Sequence, residues 1–187
     1  LSKLLNIQDE ISRVEAYDNS HTFGKNSVGV MIVADKEGLS PKHYRKFNIR
    51  YDLKEKKISP VDDYYMMEEV LSRRLSKINL NEVSIIPDVL IIDGGRGQYN
   101  SVLNILKKFK FKKIKLLSVS KGPDRNAGRE IVHLDNKNIN LKPNDDLLFF
   151  IQRLRDEAHR FAITAHRSRR SKSSIKSVFD EIKGIGP

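Results

Sequence analysis

The 187-residue chain contains no cysteine and no tryptophan. Without thiols there is no disulfide framework, no thiolate-bound zinc module and no cysteine nucleophile, so a metal would have to be held by oxygen and imidazole. No apolar run reaches the roughly 20 residues that a membrane span requires. A P-loop of the form G-x-x-x-x-G-K-[ST] is missing, as is a full G-x-G-x-x-G, which argues against a nucleotide cofactor. A charged-then-apolar leader is missing too, and the sequence opens on Leu1. We therefore expect a domain excised from a longer chain, cytoplasmic, with nothing marking it for export or for a membrane. What is present, 39% apolar and 32% charged residues, is the composition of one globular domain.

Acidic residues are also scarce in one half. Residues 1–106 hold 15 basic and 15 acidic side chains, whereas residues 107–187 hold 20 basic and 9 acidic ones, so the whole net charge of +11 belongs to the second half. Six lysines crowd residues 107–115. Between Arg160 and Lys176 there is no acid at all, while Arg160, Arg167, Arg169, Arg170, Lys172 and Lys176 all fall there. Guanidinium groups match phosphate oxygens geometrically, so this run reads as an electrostatic footprint for a polyanion.

Hydrophobic periodicity supplies the elements. Residues 13–18 alternate, with Val14 and Ala16 against Arg13, Glu15 and Tyr17. Residues 28–34 are aliphatic, and 43–49 can complete an antiparallel meander. Asp62 is placed to cap a helix carrying Met66, Met67, Val70, Leu71 and Leu75. Residues 89–92 and 114–119 read as buried parallel strands around an amphipathic helix at 99–109. Residues 120–145 form an excursion with one strand-like stretch at 131–134. A helix over 146–166 follows, with Leu147, Phe150, Leu154, Ala158, Phe161 and Ala165 on its apolar stripe.

Asp18 and Asp93 each end a strand and are followed by turn residues. In α/β sheets ligands gather beyond the carboxyl ends of strands, so two such carboxylates converge if their strands are adjacent and parallel. A divalent cation, Mg²⁺ or Mn²⁺, would relieve their repulsion, although an Asp before Gly94-Gly95 is also ordinary turn chemistry. Asp63 is a candidate third carboxylate. His159 lies off the apolar stripe on the wheel, beside Gln152 and Arg155, where it is either solvent-exposed or turned towards the acids. His21, three residues beyond Asp18, is a candidate supporting donor.

Five segments then identify a resemblance. Glu15-Ala-Tyr-Asp-Asn-Ser-His-Thr, Asp62-Asp-Tyr, Ile92-Asp-Gly-Gly-Arg-Gly-Gln, Ser120-Lys-Gly-Pro-Asp-Arg and Gln152-Arg-Leu-Arg-Asp-Glu-Ala-His-Arg-Phe-Ala-Ile occur in the order found in the C-terminal endonuclease domain of the UvrC family, the incision component of the bacterial excinuclease. The sequence departs from that pattern at Asn19, usually aliphatic, and at Val61, usually Gly.

The resemblance implies an α/β, ribonuclease-H-like fold whose mixed central sheet combines a three-strand antiparallel meander with parallel strands, flanked by helices. It implies a domain over 1–183, with 1–12 as a lead-in and 184–187 as the start of a truncated helix-hairpin-helix module. The implied metal ligands are Asp18, Asp93 and His159 binding Mg²⁺ or Mn²⁺, with Asp63 a further catalytic carboxylate. The implied activity is the 5′ incision in nucleotide excision repair, on damaged DNA, with UvrB as the excinuclease partner and UvrA acting upstream. Lys121, Arg125, Arg155, Arg160, Arg167, Arg169 and Arg170 are the expected phosphate contacts. A non-catalytic DNA-binding module on the same fold is the alternative reading.

Overall fold

The computed structural model describes residues 1–20, 27–49, 63–78, 85–122 and 130–179, with the side chains of Ser20 and of 165–179 excluded. The order of elements is α1 (Ser2–Leu5), β1 (Val14–Ser20), β2 (Val28–Asp35), β3 (Gly38–Leu39), β4 (Arg45–Asn48), α2 (Asp63–Leu75), β5 (Val89–Asp93), α3 (Arg96–Lys108), β6 (Lys115–Lys121), β7 (Glu130–Leu134), β8 (Lys137–Asn140) and α4 (Asp146–Phe179). Among the described residues the eight strands join one sheet in the order β3-β2-β1-β5-β6-β7-β8, with β4 also paired to β2.

The expected meander is present, but its third strand is divided. β3 pairs with the far end of β2 and β4 with its near end, both antiparallel, and a 3₁₀ turn at Pro41–His43 separates them. Proline at the start of that turn removes an amide donor from the ladder, so pairing is interrupted there. β5 lies parallel to β1 and to β6, the adjacency on which convergence of Asp18 and Asp93 depends.

Two apolar layers enclose the sheet. Val14, Ala16, Val30, Ile32, Val89, Ile91, Leu117, Val119 and Val132 meet Leu148, Ile151, Leu154, Ala158 and Ala162 of α4. On the opposite face Tyr17, Met31, Val33, Leu90, Ile92 and Leu116 meet Met66, Met67, Val70 and Leu71 of α2 and Tyr99, Val102 and Leu106 of α3. Each large side chain so buried contributes about 1.5–3 kcal/mol. Residues 1–12 are more than a lead-in: Leu5 is buried, and Leu1, Leu4, Ile7 and Ile11 pack against the α4 layer.

Several expectations shift. The stripe of α4 is centred on Ile151, Leu154, Ala158 and Ala162, and Leu147, Phe150 and Phe161 flank it half-buried. α4 itself runs to Phe179, beyond the expected end at 166, because nothing in 167–179 breaks a helix: that stretch has neither Gly nor Pro. β8 was not expected from the sequence, since Lys137-Asn-Ile-Asn carries a single apolar residue.

Glu15, which alternates with Val14 and Ala16 along β1, is fully buried. Covering helices occupy both faces of this sheet, so the second face needs internal partners. Arg13 Nε and Arg74 Nη2 reach Glu15 Oε1 at 2.8 and 2.7 Å, and the Tyr17 hydroxyl donates to Oε2 at 2.6 Å. Burial, then the Glu15 charge, push the Tyr17 phenol well above its usual range. Gly29 is the spacer at which α2 approaches β2: a Cβ there would stand 2.3 Å from Val70 Cγ2.

Candidate metal and nucleic-acid site

Strand alternation decides which residues meet at the carboxyl edge. Along β1, Val14 and Ala16 face α4, so Asp18 does as well; along β5, Val89 and Ile91 do the same for Asp93. On β6 the alternation brings Lys121 to this face, and on β7 it brings Glu130, its partner across the ladder. α4 supplies the opposite wall, because Gln152, Arg155, Asp156 and His159 recur at spacings of three and four. Asp93, Lys121, Glu130, Gln152, Arg155, Asp156 and His159 line a cleft of about 490 Å³.

Beside the cleft, His159 Nδ1 lies 3.6 Å from Asp18 Oδ2. The imidazole is 69% exposed, while the Asp18 side chain is only 15% exposed. Burial first, and then the Asp93 charge, raise the Asp18 carboxyl above its ordinary value; His159 opposes both. Arg155 Nη2 contacts Asp93 Oδ1 at 3.1 Å, and Nη1 stands 3.6 Å from Glu130 Oε1. Gln152 Nε2 donates to that same Oε1 at 3.1 Å. Arg155 Nε is buried and has no hydrogen-bond partner among the described residues.

Asp63 approaches from the other side of the sheet. It opens α2, where a carboxylate complements the helix dipole, and its carbonyl accepts from Asn19 Nδ2 at 3.4 Å. Asn19 thus ties the residue after Asp18 to the first turn of α2. Asp63 does not line the cleft.

Among the described residues no three His, Asp or Glu side chains stand close enough together to hold a metal as they are. The chemistry of the donors nevertheless suits a hard divalent cation: two carboxylates in mutual repulsion, an imidazole beside one of them, and a guanidinium already drawn to the other.

Of the expected phosphate contacts, Lys121 and Arg155 line the cleft. Arg160 is exposed and held by Glu157 through Nε and Nη2, each at 2.7 Å. Arg167, Arg169 and Arg170 lie on α4, their side chains outside the described residues, as are Arg125, His21, Asp62, Val61 and 184–187. Arg96, the first residue of α3, instead pins the β7–β8 turn by donating to the carbonyls of Asp135 and Lys137 and to Asn138 Oδ1. His133 is likewise structural, buried between Ser120 Oγ at 2.8 Å and Asn138 Oδ1 at 2.7 Å.

Glu130 escaped the sequence reading. Its only sequence signal is an acid opening a short apolar strand beside a basic stretch, and its partners Gln152 and Arg155 are remote in sequence.

A family model described as the UvrC RNAse H endonuclease domain matches residues 2–163. UvrABC system protein C of Zymomonas mobilis is 52% identical over 180 residues, covering 94% of this chain and 26% of that protein. The same protein of Paramagnetospirillum magneticum is 45% identical over 192 residues, covering 100% and 30%. The chain therefore spans less than a third of the length of these relatives. Among solved structures, endonuclease V of Bacillus subtilis is similar at a TM-score of 0.43 with 13% identity, over 84% of this chain and 82% of that one. Human endonuclease V has a TM-score of 0.43 and 17% identity, over 68% and 50%.

Proposed function

From the premise that the chain belongs to the UvrC RNAse H endonuclease domain family, with its ribonuclease-H-like fold, we propose that it is a divalent-metal-dependent DNA endonuclease. Its proposed reaction is the 5′ incision beside a lesion in nucleotide excision repair. The observation that supports this reading best is the meeting of Asp18 and Asp93 at the ends of adjacent parallel strands, on the face where α4 presents His159.

Asp18, Asp93 and His159 would hold Mg²⁺ or Mn²⁺, which when bound supplies activation of water and neutralisation of charge on the phosphate. The polypeptide does the rest. β1 and β5 fix the separation of the two carboxylates, and the buried setting of Asp18 favours its partnership with a cation over free ionisation. His159, at the open mouth of the cleft, serves as a ligand or carries a proton. Asp63, joined to β1 through Asn19, supports the site from the α2 side.

Lys121, Arg160 and the arginines further along α4 hold the phosphate backbone, with Arg125 as a further contact. Such contacts position DNA without reading sequence, so lesion choice comes from partners. UvrB is the proposed partner at incision, with UvrA acting before it.

The test is nicking of a lesion-containing duplex with UvrB supplied and Mg²⁺ varied. Asp93→Asn is expected to abolish the incision while DNA affinity is kept or improves, because a charge that repels phosphate is gone. Retained nicking by Asp93→Asn would refute the assignment. Failure of the unsubstituted chain to bind Mn²⁺ would favour the non-catalytic DNA-binding module.

A further inference from the structure

The cleft holds a cation of its own. Arg155 stands between two carboxylates, touching Asp93 with one terminal nitrogen and facing Glu130 with the other. Its side chain is only 16% exposed, so its charge is poorly screened by water. Glu130 is buried at 4% exposure and lies opposite Lys121 in the ladder. Gln152, one turn earlier on α4, already donates to the Glu130 oxygen nearest Arg155.

We propose that Arg155 is an internal counter-ion of the metal site, neutralising Asp93 while no metal is bound and moving onto Glu130 when Asp93 takes a divalent cation. The inference rests on the metal-binding reading above and adds two positioning residues, Arg155 and Glu130, which act through Asp93.

Four observations support it. Asp93 cannot give its carboxylate fully to a metal while Arg155 Nη2 is 3.1 Å from Oδ1. An arginine released into a half-buried cleft needs another anion, because a desolvated charge without a partner is strongly unfavourable. Glu130 is that anion, at 3.6 Å, where a small rotation of the guanidinium converts a loose contact into a close pair. Finally, Arg155 Nε lacks a hydrogen-bond partner among the described residues, so no bond at that atom locks the side chain in its present position.

The arrangement also accounts for the lack of a gathered three-ligand group among the described residues: Asp93 is engaged by a cation that belongs to the fold. A metal site built this way has the Asp93 charge offset when empty, and its affinity is set by exchange of one cation for another.

The experiment measures Mn²⁺ affinity of the 187-residue chain, by electron paramagnetic resonance of free Mn²⁺ and by calorimetry, with thermal melts run beside it. Arg155→Gln is expected to bind Mn²⁺ about tenfold more tightly, because a competing charge is lost. Glu130→Gln is expected to bind several-fold more weakly, because Arg155 then stays on Asp93. The deciding measurement is the double variant. If Glu130 acts through Arg155, Glu130→Gln has no effect in the Arg155→Gln background. If Glu130 merely adds negative potential, its effect persists undiminished there, and the proposal is overturned.

A measurement on the unsubstituted chain covers the case in which Arg155→Gln does not fold. Mg²⁺ should shift the Arg155 Nε–H resonance and slow guanidinium rotation, and Glu130→Gln should remove that response. An Arg155 resonance indifferent to saturating Mg²⁺ overturns the relay and leaves the metal site intact. No binding of Mn²⁺ by the unsubstituted chain overturns both.

Discussion

His159 Nδ1 stands 3.6 Å from Asp18 Oδ2, so the last helix delivers its imidazole to the carboxylate at the end of the first strand. The pairing depends on the α4 stripe of Leu154, Ala158 and Ala162, which docks the helix and leaves His159 on the flank facing the cleft. An exposed residue held in place by its buried neighbours can be removed without harming them.

His159→Ala should therefore separate chemistry from stability. Incision is expected to fall by about 10²–10⁴-fold, the usual contribution of a positioned proton carrier, with more if His159 is a ligand. Thermal stability should change by no more than about 0.5 kcal/mol, as for an exposed side chain. A large drop in the melting temperature would show that the imidazole is structural.

Salt dependence tests the phosphate contacts. Lys121 is exposed at the rim of the cleft, and Lys121→Ala should weaken duplex binding similarly for all sequences. A plot of log affinity against log salt should become shallower by about 0.9, the effect of losing one phosphate contact. An unchanged slope in fluorescence anisotropy titrations would remove Lys121 from the interface.

The buried cluster around Glu15 predicts the opposite of His159. Glu15→Gln leaves Arg13 and Arg74 without their anion, a loss of about 3–5 kcal/mol for a buried pair. For a chain of this size that lowers the melting temperature by about 6–20 °C. DNA affinity, measured below the transition, should be unaffected because the cluster lies on the α2 side of the sheet, away from the cleft.

Alkaline titration should reveal Tyr44 as one of the late-titrating phenols. Burial, and then the nearby Glu157 carboxylate, push this phenol up to about 12. Because the folded state holds the proton more tightly than the unfolded chain, whose phenol titrates near 10, this stabilisation is complete below about pH 10. It is lost as pH rises from about 10 to about 12. Tyr44→Phe should show a shallower decline of stability across that window and lack one late-titrating phenolate in the ultraviolet spectrum. An unaltered late phase would assign that phenolate elsewhere.

Asp18, Asp93 and His159 stood out as candidate ligands because each carries a local mark. Asp18 and Asp93 sit at strand ends followed by turn residues, and His159 lies off the apolar stripe of a long helix. Local marks also revealed β1, β2, β5, β6 and the two helices α2 and α3. What stayed hidden depends on pairings remote in sequence. Nothing near Glu130 announces Arg155, and nothing in the alternation of β1 announces that α2 covers Glu15. Arg155 drew attention as a basic residue suited to phosphate, whereas its present partner is Asp93. Composition reports a charge but not the charge opposite it.

Asp18 and Asn19 are consecutive residues that serve opposite sides of the sheet, one beside His159 of α4 and the other at the first turn of α2. The site is thus written in the parity of β1. Deleting one residue between Val14 and Asp18 would either bury a carboxylate beneath α2 and turn an amide towards the cleft, or invert the core-facing set from Val14 onwards. Deleting two would preserve parity and shorten only the reach. Frame within a strand is as binding on the proposed chemistry as the identity of the acids, and length changes in β1 should be tolerated in pairs or not at all.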